Sequence, residues 1–181
     1  MGAAAATPAT TYRIASAALA GGLINAAING ALGWAMVPAG ATLALWGLPG
    51  LALDVAAMCF GIAFGTGIGV TPILRSQAAT GRVVAPPVSR FWRDGFANWP
   101  AGNLQRALNL GLLSTLVFAP PGLLLLWLGL TGLGLDGLDE AGTASFKAGF
   151  GLVHGAIVTP IIGLGALLGP RPDSERVTPP E

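Results

Sequence analysis

The chain has 181 residues, of which 53% are hydrophobic and only 9% charged, with a mean hydropathy of +0.70. Soluble domains carry about 25% charged residues, so this chain has too little polar surface to face water on all sides, and an integral membrane protein is expected. A net charge of +1 supplies no basic field to neutralise phosphates, which argues against nucleic acid as a partner.

The first residues, "MGAAAATPATTY", are small and polar without periodicity, and residues 1–13 read as a disordered tail. Their start lacks the hydroxyl residue of a myristoylation signal. An apolar run then covers residues 14–37. At 1.5 Å per residue it exceeds the roughly 30 Å hydrocarbon layer. It is longer than the core of a signal peptide, so it is read as a retained span. Residues 38–50, with Trp46 and Pro49, read as a loop resting at the interface. The alternative is a kinked extension of the first helix.

The second span covers residues 51–74, with Asp54 near its start and a single cysteine, Cys59, inside it. One cysteine forms no intrachain disulfide and no Cys-based metal cluster, and in an apolar run it serves as a small hydrophobe. The glycine-rich "GTGIG" at 65–69 lacks the preceding strand and the following lysine of a phosphate loop. Residues 76–103 form an interfacial loop whose "RFWRDGFANWP" places Trp92 and Trp99 beside Arg90 and Arg93. That composition suits a segment lying on the inner leaflet.

The third span covers residues 104–130 and the fourth 146–168, and residues 169–181 read as a second disordered tail. Arg13, Arg75, Arg82, Arg90, Arg93, Arg106, Arg171 and Arg176 alternate correctly with four spans, whereas the loops at 38–50 and 131–145 contain no Lys or Arg. The positive-inside rule then puts both termini in the cytoplasm, and an Ala/Gly/Arg-rich composition suits a bacterial inner membrane.

Val-Thr-Pro-Ile occurs at 70–73 and again at 158–161. Aligned at this offset of 88, residues 60–74 and 148–162 also share Gly61/Gly149 and Gly67/Gly155. Spans one and three align more weakly at an offset of 80, through Ala27/Ala107, Asn29/Asn109 and Leu32/Leu112. The expected fold is therefore all-α and polytopic. Its four transmembrane helices form two parallel helical-hairpin repeats, 14–75 and 104–168, with spans two and four paired about an axis along the membrane normal.

Gly61, Gly65 and Gly69 recur on one face of span two, and Gly151 and Gly155 on one face of span four. Such GxxxG spacing lets backbones approach where lipid supplies no hydrophobic drive, either with the other repeat or with another subunit. Pro72 and Pro160 free the carbonyls of Ile68 and Ala156, and Thr71 and Thr159 are placed to supply a hydroxyl nearby. Asn25 and Asn29 share one face of span one, and Gln105 and Asn109 one face of span three. His154 is the sole histidine, in mid-span. An intramembrane ionisable residue marks a candidate site, yet no second His or Cys accompanies it to hold a metal. Lys147 lies two turns before His154, where it would pair with Asp54.

No nucleophile–base pair, cofactor motif or metal-ligand spacing emerges, so no catalytic, cofactor or metal residues are assigned. The expected function is a non-enzymatic accessory or partner-binding subunit in the lipid bilayer, meeting a membrane-protein partner or a second copy of itself. The alternative is a small transporter or channel whose path is lined by Asn25, Asn29, Thr71, Asn109, His154 and Thr159, gated at Pro72 and Pro160.

Overall fold

The computed structural model describes residues 10–170, so most of each expected tail lies outside the described residues. Five helices carry the fold: α1 (Ile14–Met36), α2 (Leu51–Ala79), α3 (Arg90–Ala97), α4 (Asn103–Leu133) and α5 (Glu140–Leu168). All but α3 are long and apolar enough to cross a membrane.

The helix boundaries show where hydropathy stops being informative. The start of α1 coincides with the expected span and its end falls one residue short of it, because Arg13 and the loop at Val37 bracket a uniformly apolar run. By contrast, α5 begins six residues before its apolar stretch. The Asp139 side chain accepts a hydrogen bond of 2.7 Å from the Gly142 amide, capping a polar first turn. Helix α2 runs five residues past Leu74 through Arg75, Ser76 and Gln77. Helix α4 continues through Pro120 and Pro121 and ends at Gly134, whose φ of 66° closes the helix in the left-handed conformation. Likewise α2 and α5 continue past Pro72 and Pro160 rather than breaking there.

The packing is centred on α5, the most buried of the long helices. Helix α1 lies along α5, α2 packs on both α5 and α4, and α4 and α5 barely touch. The α1–α5 seam is built from glycines. A Cβ on Gly151 would stand 2.7 Å from the Asn25 carbonyl oxygen, and one on Gly155 would stand 2.6 Å from that of Gly21. Gly22 and Gly33 of α1 meet α5 backbone as closely. Small residues on both sides let the two backbones come together and trade side-chain bulk for dispersion contact.

The α2 glycines behave differently from the expectation. Gly61, Gly65 and Gly69 are exposed, and a Cβ at any of them would meet nothing within 4 Å. Within this chain they pack against no helix. Gly67, on the opposite side of α2, makes the α2–α4 contact against Ala107.

Two minimal sheets gather the connections. β1 (Thr10–Thr11) pairs in parallel with β3 (Val83–Val84), and β2 (Leu43–Ala44) pairs antiparallel with β4 (Gly137–Leu138). Thr10–Tyr12, placed by the sequence in the N-terminal tail, are instead held in place, since the Thr10 and Tyr12 amides donate to the carbonyls of Arg82 and Val84. The loop at 38–50, expected to rest at an interface, is a packing element of the fold. It turns Leu43 and Leu45 into an apolar cluster with Val37, Leu51, Leu126 and Leu130, leaving Trp46 exposed.

The β1–β3 end also collects α3, Gly169 and Pro170; it is called here the arginine end. Arg75 and Arg106 are both buried there. Arg75 donates to the Ala101 carbonyl at 3.0 Å and the Asn103 side chain at 2.7 Å. Arg106 donates to the carbonyls of Pro100 and Gly165 and sits over the Trp99 ring. Both guanidinium groups also reach the Pro170 carbonyl, so the expected C-terminal tail is pinned at its first residues. These cations close the C-terminus of α5, where unsatisfied carbonyls and the helix dipole favour positive charge. Phe96 and Trp99 pack on Gly165 and anchor α3, whose Phe91 and Trp92 remain exposed. Tyr12 is wedged against Gly163 at the same end, and burial pushes its phenol up to about 12.

Candidate functional site

A cleft of about 680 Å³ lies between α1 and α2, with α5 behind it. Helices α1 and α2 flank α5 without packing on each other, so the gap follows from the helix arrangement. Ile24, Ile28 and Leu32 line it from α1, and Gly61, Ile62 and Gly65 from α2. The missing glycine side chains are what hold this wall open.

At one end of the cleft stands an ion pair. Lys147 Nζ lies 2.6 Å from Asp54 Oδ1, with the two side chains 3% and 12% exposed. The ammonium also approaches Met36 Sδ at 3.2 Å, while the second oxygen of Asp54 is buried with no partner. Removing two charges from water costs several kcal/mol per ion, and only close geometry offsets it. The pairing expected from the sequence is the one observed.

Deeper along the cleft are Asn25, Asn29 and Thr159. The Asn25 side-chain nitrogen donates to the Gly21 carbonyl and that of Asn29 to the Asn25 carbonyl, each at 2.8 Å. The two amides are therefore satisfied within α1 rather than bridging to another helix. Their side-chain oxygens meet no donor among the described residues. The Thr159 hydroxyl is buried against Gly21 and has no hydrogen-bond partner. Thr71 is fully buried and also unpartnered, so neither threonine serves the carbonyl freed by its neighbouring proline. The two Val-Thr-Pro-Ile segments also differ in setting, since Pro160 is buried and Pro72 exposed.

The other candidate residues go elsewhere. Asn109, with Gln105, lies on the exposed face of α4. His154 is buried on α5, 2.7 Å from Ser114 Oγ through its Nε2 and flanked by Phe118 and Phe150. This Ser–His contact joins α4 to α5 where the helices hardly meet. The sequence offered no signal for it, because Ser114 is a single hydroxyl 40 residues away. Its Nδ1 has no partner, and no acidic residue is placed to orient the ring as a general base. Of the six residues of the expected path, three line the α1/α2 cleft and three do not.

His154 lines a second cleft of about 320 Å³ between α4 and α5. Its α5 wall includes Phe146, Gly149, Phe150, Val153 and His154. Counting back 88 gives Met58, Gly61, Ile62, Gly65 and Thr66, all of which line the first cleft. The correspondence stops at α4, whose Phe118, Pro121 and Leu125 have no such counterparts in α1. The first cleft is polar at its end and along its floor; the second is almost wholly apolar.

No group of His, Cys, Asp and Glu among the described residues is placed to hold a metal ion. Fold and clefts together define a class: an all-α protein with four helices long and apolar enough for a multi-pass membrane protein. Comparison of the chain with protein-family models, curated proteins and solved structures found no match in any of them.

Proposed function

We propose that the protein is a non-enzymatic binding subunit of the bacterial inner membrane that receives a membrane component laterally in the α1/α2 cleft. The carrying observation is the cleft itself: an open, mostly apolar slot with a buried ion pair at one end and an unpacked glycine wall. Residues in such a slot recognise and orient a partner; no pair in it has the geometry to activate a nucleophile.

The accompanying topology has both termini cytoplasmic, with the arginine end on the inner side. Eight of the nine basic residues, all but Lys147, belong to this end or flank it in sequence. Two parallel hairpin repeats, α1–α2 and α4–α5, fit the central α2–α5 pair and the matching walls of the two clefts. In that reading each hairpin lends its second helix to the centre and rests its first on the other hairpin.

A photo-activatable side chain in place of Gly65 tests the binding role in intact cells. It is expected to give a discrete adduct, whereas the same group at Leu116, 76% exposed on α4, gives only diffuse labelling. Identical labelling at both positions rejects the cleft as a binding element. The transport reading draws support from Asn25, Asn29 and Thr159 sharing one cleft. Solute uptake by the protein alone in liposomes, abolished by Asn29→Leu, would replace the binding role with that one.

A further inference from the structure

Two amides on α4 face away from the rest of the fold. Gln105 and Asn109 are exposed, and neither side chain makes a hydrogen bond among the described residues. Their depth follows from Ser114, whose hydroxyl meets His154 at the centre of α5. Asn109 stands five residues from Ser114 along α4, which at 1.5 Å per residue is about 7.5 Å. With the centre of α5 at the bilayer midplane, Asn109 lies well inside a hydrocarbon layer that reaches roughly 15 Å to either side. Gln105 lies nearer the edge, about 13 Å from the midplane. Lys and Arg snorkel from such depths, but an asparagine is too short to reach the headgroups. A polar side chain at this depth ordinarily faces another helix and not lipid.

The chemistry of the amide limits what covers it. An amide carries both donors and an acceptor, so it complements a second amide at the same depth. The exposed residues around the pair are leucines, among them Leu108, Leu112 and Leu113, so the face offers hydrogen bonds at one level only. Copies of one membrane protein share an orientation, and a two-fold axis along the membrane normal brings each residue opposite itself. Asn109 then meets the partner's Asn109 with no further matching required, whereas a foreign helix must supply an amide at that level. The one-turn spacing of Gln105 and Asn109 also sets the approach. It forms one of the i±4 ridges of α4, and two such ridges interdigitate at about 50°. Leu116 is seven residues, or about 10 Å, beyond Asn109. At that angle it diverges from its copy by about 9 Å, which confines the contact to the half of α4 nearer the arginine end and leaves Leu116 to lipid.

We infer that the protein forms a two-fold dimer through α4, with Asn109 paired to the partner's Asn109 and Gln105 beside it. The inference is independent of the α1/α2 cleft and rests on the multi-pass placement of the fold. The test is made in the membranes of cells producing the full chain, with a cysteine introduced at Leu112 or at Leu116; Cys59 is buried. A membrane-permeant oxidant is expected to link two copies through Leu112→Cys and to leave Leu116→Cys as the monomer. Adding Asn109→Leu to Leu112→Cys is expected to remove the dimer band, and Asn109→Gln to keep it. Because position 109 is exposed, Asn109→Leu leaves the monomer folded, which unchanged thermal unfolding in detergent checks. A cross-link at 112 that persists when both Gln105 and Asn109 are replaced by leucine overturns the amide contact. No cross-link at 112, or equal cross-linking at 112 and 116, overturns the interface. A chain released from the membranes by alkaline carbonate overturns the placement itself, so that failure reads separately from failure of the interface.

Discussion

Lys147 and Asp54 show how a buried charge is tolerated among long apolar helices. Breaking such a pair from one side leaves an uncompensated ion, at a cost of about 3–5 kcal/mol, while replacing both partners by apolar residues is often neutral. Lys147→Met is therefore expected to lower thermal stability in detergent more than Lys147→Met combined with Asp54→Leu. A double variant as damaged as the sum of its singles would reject the coupling. The pair was legible in the sequence because each charge interrupts an apolar run near the same end of its span. Ser114 and His154 were not: a lone hydroxyl in a span gives no hint of its partner. Ser114→Ala is expected to cost about 1–3 kcal/mol, since it strips the imidazole of its one hydrogen bond. Tyr12 permits a cleaner measurement, being the only tyrosine. Its phenol is raised by burial, so the fold holds the neutral form. The stability this contributes is complete below the ordinary value of 10 and is lost as pH climbs through about 12. Alkaline absorbance titration should show one phenol ionising near 12 in the folded protein and near 10 once denatured.

Among the elements, the glycines divide by position and not by motif. Gly151 and Gly155 were expected at a helix seam and occupy one, against α1. Gly61, Gly65 and Gly69 carry the same spacing and face open space. Spacing alone could not separate them, because it describes one helix while packing depends on what lies across from it. The structure turns this into a contrast between two substitutions. Gly155→Val drives a side chain into the α1 backbone and is expected to cost more than the 1–3 kcal/mol typical of overpacking, since backbone yields less than side chain. Gly65→Val should stay within about 0.5 kcal/mol, as surface changes do. Chemical denaturation of both variants in the same detergent measures the difference; equal losses would mean α2 has a partner here. Helix ends followed the same logic. Hydropathy located the spans but missed the polar first turns of α5, which rest on the Asp139 cap, and the polar last turn of α2.

For the molecule as a whole, composition was the reliable guide, since four long apolar runs leave few alternatives to four helices. The order in which those helices pack was not written there, because every span is rich in the small residues that would suit any neighbour. The arginines illustrate the gap. All were read as charges facing the inner surface, yet Arg75 and Arg106 are enclosed and tie α2, α4 and the end of α5 together through backbone carbonyls. Topology can be checked with single cysteines at Trp46 and Phe91, both exposed and at opposite ends of the fold, against a background in which Cys59 is buried. A membrane-impermeant thiol reagent applied to whole cells should label position 46 and spare 91.

The tightest seam in the fold joins α1 to α5, two helices separated by more than a hundred residues of chain. During synthesis α1 is made well before the surface it rests on exists. For that interval its Gly21, Gly22 and Gly33 face and its asparagines have no α5 to meet, and chaperoning or provisional contact with α2 must cover them. The cleft that α1 and α2 later share would then begin as the place where they wait. Chains arrested before residue 140 should insert α1 in the membrane yet remain open to proteases and insertion factors, and become resistant only once α5 has emerged.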